Sequence, residues 1–345
     1  PFLTFLPVLN NAFMAQDPPT TEAPWEMTED ELALSDRERR AIIYREMIAQ
    51  RWAWRPFFLF LATCLSLFFV GLVGWDTDIA YTILSGDLGY LVWLVQHFWL
   101  DGLLYMLATV AILGSHELGH FFAAARYRIY TTLPIFIPMP LPPLGTFGAV
   151  IAMEHGAADR KQIFDVGLAG PLAGLVVAAP ILYLGVAQLD FTTPAQDGWS
   201  FGFPLIVQWL LAWIQPTGYT GEQHSIAASQ LNPLFMAGLI GLIVTGLNMM
   251  PVSQLDGGHV IYALFLRRSW WIARAFICIA AIHQAFTASK WGMMIFLVIV
   301  MGVDHPPTRD DSQPIGWGRW VLGLLSLAIP ILCFTPNSIM LPPVR

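Results

Sequence analysis

Charge is scarce in this chain. Only 12% of its 345 residues are Asp, Glu, Lys or Arg, where a soluble globular domain carries about a quarter. With 56% hydrophobic residues, 14 Trp and 23 Phe, the shortage excludes an ordinary soluble domain and indicates an integral membrane protein. Cysteine is nearly absent. Cys64, Cys278 and Cys333 fall in apolar segments without metal-ligand spacing, so they read as small buried hydrophobes and imply no disulfide framework. An early apolar run is missing too. The first one long enough to span begins near Phe57, too late for a secretory signal peptide.

Against that background one stretch carries chemistry. His116-Glu117-Leu118-Gly119-His120 lies inside the apolar run YMLATVAILGSHELGHFFAAARY. Residues four apart share a helix face, so both imidazoles can reach one metal ion. Glu117 lies beside them, where it can take a proton from an attacking water. The bare pattern arises by chance in very roughly one in a hundred chains of this length, so the setting decides. No residue from Gly102 to Ser115 is charged, and a His-Glu-His cluster in hydrocarbon is too costly to keep without a partner. Two nitrogen ligands and an adjacent carboxylate form the usual core of a zinc hydrolase.

Residues 1–30 are proline-rich without a sustained period, which predicts an irregular arm; with the helical run that follows, it extends over residues 1–55. Arg37, Arg39, Arg40, Arg45, Arg51 and Arg55 gather before the first span. No aromatic platform or recognised module accompanies them, so they argue for the cytoplasmic face of a lipid bilayer and against nucleic acid. Spans are expected at about 57–75, 100–127, 162–188, 233–249, 270–286 and 317–334, with 290–302 a short seventh candidate. Residues 76–98 and 201–214 read as interfacial elements at the outer surface. The fold class is an all-α polytopic membrane protein of six or seven transmembrane segments, with a membrane domain over 56–335 and a tail at 336–345.

Residues 129–153 break the pattern. Pro134, Pro138, Pro140, Pro142 and Pro143 forbid a membrane helix, and the β-branched and aromatic residues around them favour extended chain. The stretch is nevertheless as apolar as a span. It is expected as a re-entrant, β-hairpin-like segment near the metal site, with Gly145 and Gly148 permitting close backbone approach and an edge able to pair with an extended substrate. Gly167, Gly170 and Gly174 in GLAGPLAG permit close helix contact in lipid. Asp165, beside Arg160 and Lys161, reads as half of an interfacial ion pair. Asp256-Gly257-Gly258 makes an ordinary turn by composition. The topology puts that turn on the same membrane side as HELGH, where one carboxylate would complete the ligand set.

Together, HELGH in one span, Asn248-Met249-Met250-Pro251 leading to Leu255-Asp256-Gly257-Gly258, and the intervening AGPLAG resemble the site-2 protease family of intramembrane zinc metallopeptidases. The resemblance covers a core of roughly 100–265. It implies one zinc ion per chain, held by His116, His120 and Asp256. Glu117 would be general base and acid, Asn248 would lie close to the site, and Gly145, Phe147 and Gly148 would belong to a substrate-side loop. The implied activity is hydrolysis of a peptide bond in or near the transmembrane segment of a single-pass protein, releasing a regulatory fragment. A site-1-type protease would commonly cut the same substrate first. GTFGAVI and AGPLAGL resemble the bacterial, archaeal and chloroplast branch, and the expected location is a bacterial or archaeal cytoplasmic membrane with the arm inside. Gly174 stands where other members carry an asparagine, and no segment resembles the PDZ insertion of some members. The competing expectations are a catalytically silent relative that binds membrane segments and a metal-dependent transporter. Polar intramembrane residues gathered at one depth argue against the transporter.

Overall fold

The structure is a computed structural model that describes residues 54–75, 77–153, 158–194, 200–252, 255–287, 305, 308–334 and 339–340. The chain divides into Pro1–Ala53 and Trp54–Arg345, and every described residue lies in the second part. Residues 1–53 of the expected arm and the candidate span at 290–302 fall outside the described residues. In chain order the elements are α1 (Trp54–Leu72), α2 (Thr77–Leu84), α3 (Leu88–Arg126), β1 (Ile135–Pro138), β2 (Thr146–Val150) and α4 (Arg160–Ala187). They continue with β3 (Ser200–Gly202), α5 (Leu205–Ile214), β4 (Ser225–Ala227), α6 (Pro233–Asn248), α7 (Asp256–Phe265), α8 (Ser269–Thr287), α9 (Trp317–Ser326), α10 (Ile329–Cys333) and β5 (Ile339–Met340). Among the described residues α1, α3 and α4 are long and apolar enough to cross a membrane, and α5 and α6 are shorter apolar helices. This is a helical membrane protein.

The largest departure from expectation concerns residues 88–99. They are not a separate interfacial element but the first turns of α3, which runs unbroken for 39 residues. Asp87 starts it by accepting the amide of Tyr90 at 2.9 Å, and no proline interrupts it. At about 1.5 Å per residue α3 is roughly 58 Å long, well beyond the ~30 Å of a hydrocarbon core. Its surplus length is the Trp- and Tyr-bearing start, where Trp93 stacks on Tyr90 and His97 at helical spacing.

Close packing fixes α1, α4 and α6 around α3. A Cβ at Gly71 of α1 would lie 2.8 Å from the Cα of Gly102, so the two backbones meet directly. Helix α4 packs against α3, α6 and α7. Asp159 and Gln162 form a capping box at its start, and its far end is tied to α6 by Asn232. That residue caps α6 through the Phe235 amide and donates its own amide to the Gly185 carbonyl at 2.8 Å. The expected last span is divided into α9 and α10. Pro330 sits in the first turn of the second piece, where it lacks the amide needed to continue the helix.

Residues 135–150 form a hairpin. Strands β1 and β2 pair antiparallel, with Ile135 opposite Val150 and Pro138 opposite Thr146. Ser66 of α1 donates to the Gly145 carbonyl at 2.6 Å, Tyr105 of α3 donates to the Leu144 carbonyl at 2.7 Å, and Phe136 packs edge-on against Phe60. A second small sheet, ordered β4-β3-β5, draws Ile339–Met340 of the expected tail back onto the domain.

Candidate metal centre

Three side chains from two helices converge on one point. His116 and His120 lie one turn apart on α3, with their Nε2 atoms 3.2 Å from each other. Asp256, the first residue of α7, brings Oδ2 to 3.2 Å from His116 Nε2 and Oδ1 to 3.3 Å from His120 Nε2. Both histidines and Glu117 are buried. Asn248, the last residue of α6, places its amide 3.2 Å from His116 Nε2. Local sequence explains this geometry. Helix α6 ends ahead of Pro251, the chain turns, and Gly257 lets α7 start where a Cβ would meet the Met249 carbonyl oxygen at 2.1 Å.

The donor set fits a cation. His120 Nδ1 lies 2.8 Å from the Val166 carbonyl, to which it can only donate, so in the neutral ring Nε2 carries the lone pair. That lone pair faces a second imidazole nitrogen and a carboxylate, a set of electron-pair donors that a cation at their centre would satisfy. Neither His116 Nδ1 nor Asp256 Oδ2 has a hydrogen-bond partner among the described residues. Two imidazoles on one tetrahedral ion have nitrogens about 3.3 Å apart, from bonds of about 2.0–2.1 Å. The separation here agrees. Among the described residues this is the one group of three or more His, Cys, Asp or Glu side chains that could hold a metal ion.

The glycines of α4 make room for it. A Cβ at Gly170 would fall 2.1 Å from His120 Nε2, and one at Gly174 would lie 3.2 Å from His116 Cβ and Nδ1. Gly119 of α3 meets the Ala169 carbonyl in the same seam. The small residues expected to permit helix contact thus flank the two imidazoles.

The model of peptidase family M50 matches residues 104–288, more than half of the chain and the part that carries every residue of this site. The chain belongs to peptidase family M50. Its curated relatives include the probable zinc metalloprotease EGY1, chloroplastic, of Oryza sativa subsp. japonica, 28% identical over 66% of this chain and 39% of that protein. EGY2 of Arabidopsis thaliana is 28% identical over 70% of this chain and 44% of its own length. The probable zinc metallopeptidase EGY3 of Arabidopsis thaliana is 30% identical over 66% and 42%. The chain spans about two fifths of the length of these relatives.

Within this M50 chain the other candidate residues lie as follows. Gly145 has a positive φ of 80° and is docked on α1, where an added Cβ would lie 3.0 Å from Leu67. Phe147 is exposed, and Gly148, at φ 94°, has open space where a side chain would be. Asp165 does not pair with Arg160 as expected. Arg319 of α9 binds both of its oxygens at 2.7 Å, and the Tyr127 hydroxyl donates to it as well. Arg160 instead reaches the carbonyls of Ala263 and Leu264 at 2.6 and 3.1 Å, at the α7 terminus, where carbonyls lack intrahelical partners. Sequence reading passed over His259. Its position one turn after Asp256 on the same helix was the available signal.

Proposed function

We propose that this chain is an intramembrane zinc metalloprotease that hydrolyses a peptide bond in or near the transmembrane segment of a single-pass membrane protein, releasing a regulatory fragment. The observation that carries it is the convergence of His116, His120 and Asp256 within 3.3 Å, with Glu117 alongside, in a chain of a peptidase family. His116, His120 and Asp256 would hold one zinc ion, which when bound supplies Lewis acidity to the reacting carbonyl and water. Glu117 accepts the proton of the attacking water and returns it to the leaving amine. The Asn248 amide, 3.2 Å from His116 Nε2, would donate to the oxyanion. A helical substrate must unwind before its carbonyl is accessible, and pairing with β2 at Phe147–Gly148 would replace the backbone hydrogen bonds it gives up. Gly145 serves this pairing as the turn that holds β2 against α1.

The arginines ahead of α1 support an orientation with the N-terminal arm on the cytoplasmic side. We retain that orientation; the relatives named above are chloroplast proteins rather than bacterial or archaeal ones. Six or seven crossings, an arm over 1–55, a membrane domain over 56–335 and prior cutting by a site-1-type protease belong to the same proposal.

Purified chain in sealed liposomes with a single-span peptide tests the activity. Cleavage without ion movement is expected. Zinc or proton flux with intact peptide would establish the transporter reading, and binding without cleavage the silent one. Asp256→Ala is expected to lower the zinc retained after dialysis and to remove an oxygen neighbour from the zinc X-ray absorption spectrum. Unchanged content and coordination would move the third ligand elsewhere.

We also propose that the 129–153 segment is re-entrant. After replacement of Cys64, Cys278 and Cys333, a cysteine at Phe147 should react slowly with a membrane-impermeant thiol reagent from either side. Phe147 is the informative position, because Phe136 is buried against Phe60 and would label slowly in any setting. Fast labelling of Phe147→Cys from the cytoplasmic side would refute re-entry.

A further inference from the structure

The polar linker ahead of α9 grips α7 at two places. His259, one turn after Asp256, holds its Nδ1 2.6 Å from His305 Nε2. Tyr262, three residues further, stacks on the His305 ring with centroids 4.3 Å apart. Its hydroxyl donates to Asp311, which also accepts from Thr308 Oγ1 at 2.7 Å. The linker is itself anchored at the start of α4. Arg309 N donates to the Ala158 carbonyl at 2.9 Å and Arg160 N to the Asp310 carbonyl at 3.2 Å, while the Arg309 guanidinium lies 3.7 Å from Asp159. Asp310 folds the linker onto itself through Ser312 and Gln313, bonds that hold its carboxyl below the ordinary value.

The histidine pair is not a second metal site. Nitrogens sharing a tetrahedral ion stand about 3.3 Å apart, and 2.6 Å is a hydrogen-bond contact with one donor and one acceptor. What the pair can do is set an angle. Asp256, His259 and Tyr262 follow one another along one side of α7. That helix has only ten residues and no side-chain cap at Leu255. Its start is held by the close approach of Gly257 to the Met249 carbonyl, and the side-chain contacts at His259 and Tyr262 add to what fixes its rotation. His259 is held on its other flank by α4, where a Cβ at Gly167 would lie 2.8 Å from the His259 Cβ. A turn of α7 about its axis would carry the Asp256 carboxylate away from the two imidazoles.

We infer that His305 is a positioning residue for the metal centre: through His259 it fixes the rotation of α7 and so the place at which Asp256 meets His116 and His120. The inference rests on the metal centre proposed above. It places a determinant of metal retention in a linker outside the HELGH and Asp-Gly-Gly motifs.

The test uses the full chain loaded with Zn2+ and challenged with a chelator. His305→Ala is expected to release zinc about tenfold faster, the lower end of the cost of losing a direct partner of a metal ligand, because His305 acts on Asp256 only through His259. His305→Gln puts an amide nitrogen near the place of Nε2 and should restore the slow release. With Co2+ in place of zinc, the visible ligand-field bands should change in His305→Ala and return in His305→Gln. Melting of the metal-free forms separates positioning from simple stability. Faster release at an unchanged apo melting temperature supports the inference, whereas a lowered apo melting temperature with unchanged release overturns it. Should the alanine variant not fold, His259→Asn, which keeps a polar atom at the Nδ1 position, is compared with His259→Leu. Slow release in the first and fast in the second supports the inference, and equal rates overturn it. A wild-type chain that takes up no zinc defeats the metal centre itself. A zinc-loaded wild type whose release rate His305→Ala leaves unchanged defeats this inference alone.

Discussion

Glu117→Gln is expected to abolish peptide hydrolysis while leaving zinc content at the wild-type level. Glu117 is buried on α3, one residue from His116 and three from His120, so its side chain can reach a water held at the centre without being a ligand. Glutamine keeps the size and can still hydrogen-bond that water, but it cannot accept its proton. The loss should therefore fall on kcat more than on KM. Removing a general base costs about 10²–10⁴-fold, and the same carboxylate must also protonate the leaving amine, so the effect should lie at or beyond the top of that range. Turnover of a liposome-embedded single-span peptide, with zinc measured on the same sample, checks it. Near-normal cleavage by a zinc-loaded variant would remove Glu117 from the mechanism.

A single methyl group at Gly170 is expected to empty the metal centre. Its Cβ would lie 2.1 Å from His120 Nε2 and 2.4 Å from Cδ2 and Cε1, far inside van der Waals contact. The ring cannot swing aside without breaking its bond to the Val166 carbonyl, and α4 is fastened at its start by Asp159 and Gln162. The helix-propensity gain of alanine over glycine, about 1 kcal/mol, does not offset a displaced ligand. Losing an outer partner already costs about 10–100-fold in metal affinity, so moving the ligand itself should cost at least that. Gly174→Ala is the control, because its Cβ would sit 3.2 Å from the nearest His116 atoms and a shift of a few tenths of an ångström accommodates it. Elemental analysis of both variants should find zinc missing from the first and retained in the second. Full zinc in Gly170→Ala would mean that α3 and α4 lie further apart than described.

How much of this was legible beforehand follows from the range over which each determinant acts. His116 and His120 share a helix turn, so period and spacing exposed them. Asp256 lies 140 residues after His116, yet counting crossings put it on the same side of the membrane. The hairpin at 135–150 was legible because prolines and β-branched residues act locally. The extent of α3 was not. The aromatic composition of residues 88–99 suits an interface whether the chain there is a separate element or the overhang of a long helix. Arg319 stands 154 residues from Asp165, and nothing in the sequence near either one names its partner. Arg160 and Lys161 were nearer in sequence, but the carbonyls ending α7 claimed Arg160. The His259–His305 contact, 46 residues apart, was hidden for the same reason.

The most direct measurement is zinc content and peptide turnover on one preparation of the unmodified chain, before chelation, after it, and after zinc is restored. Zinc held by His116, His120 and Asp256 as the catalytic metal predicts about one zinc per chain, cleavage of a membrane-embedded single-span peptide, loss of cleavage in step with loss of zinc, and recovery of both together. Cleavage that survives complete removal of the metal, or intact peptide in the presence of a fully zinc-loaded chain, would contradict it.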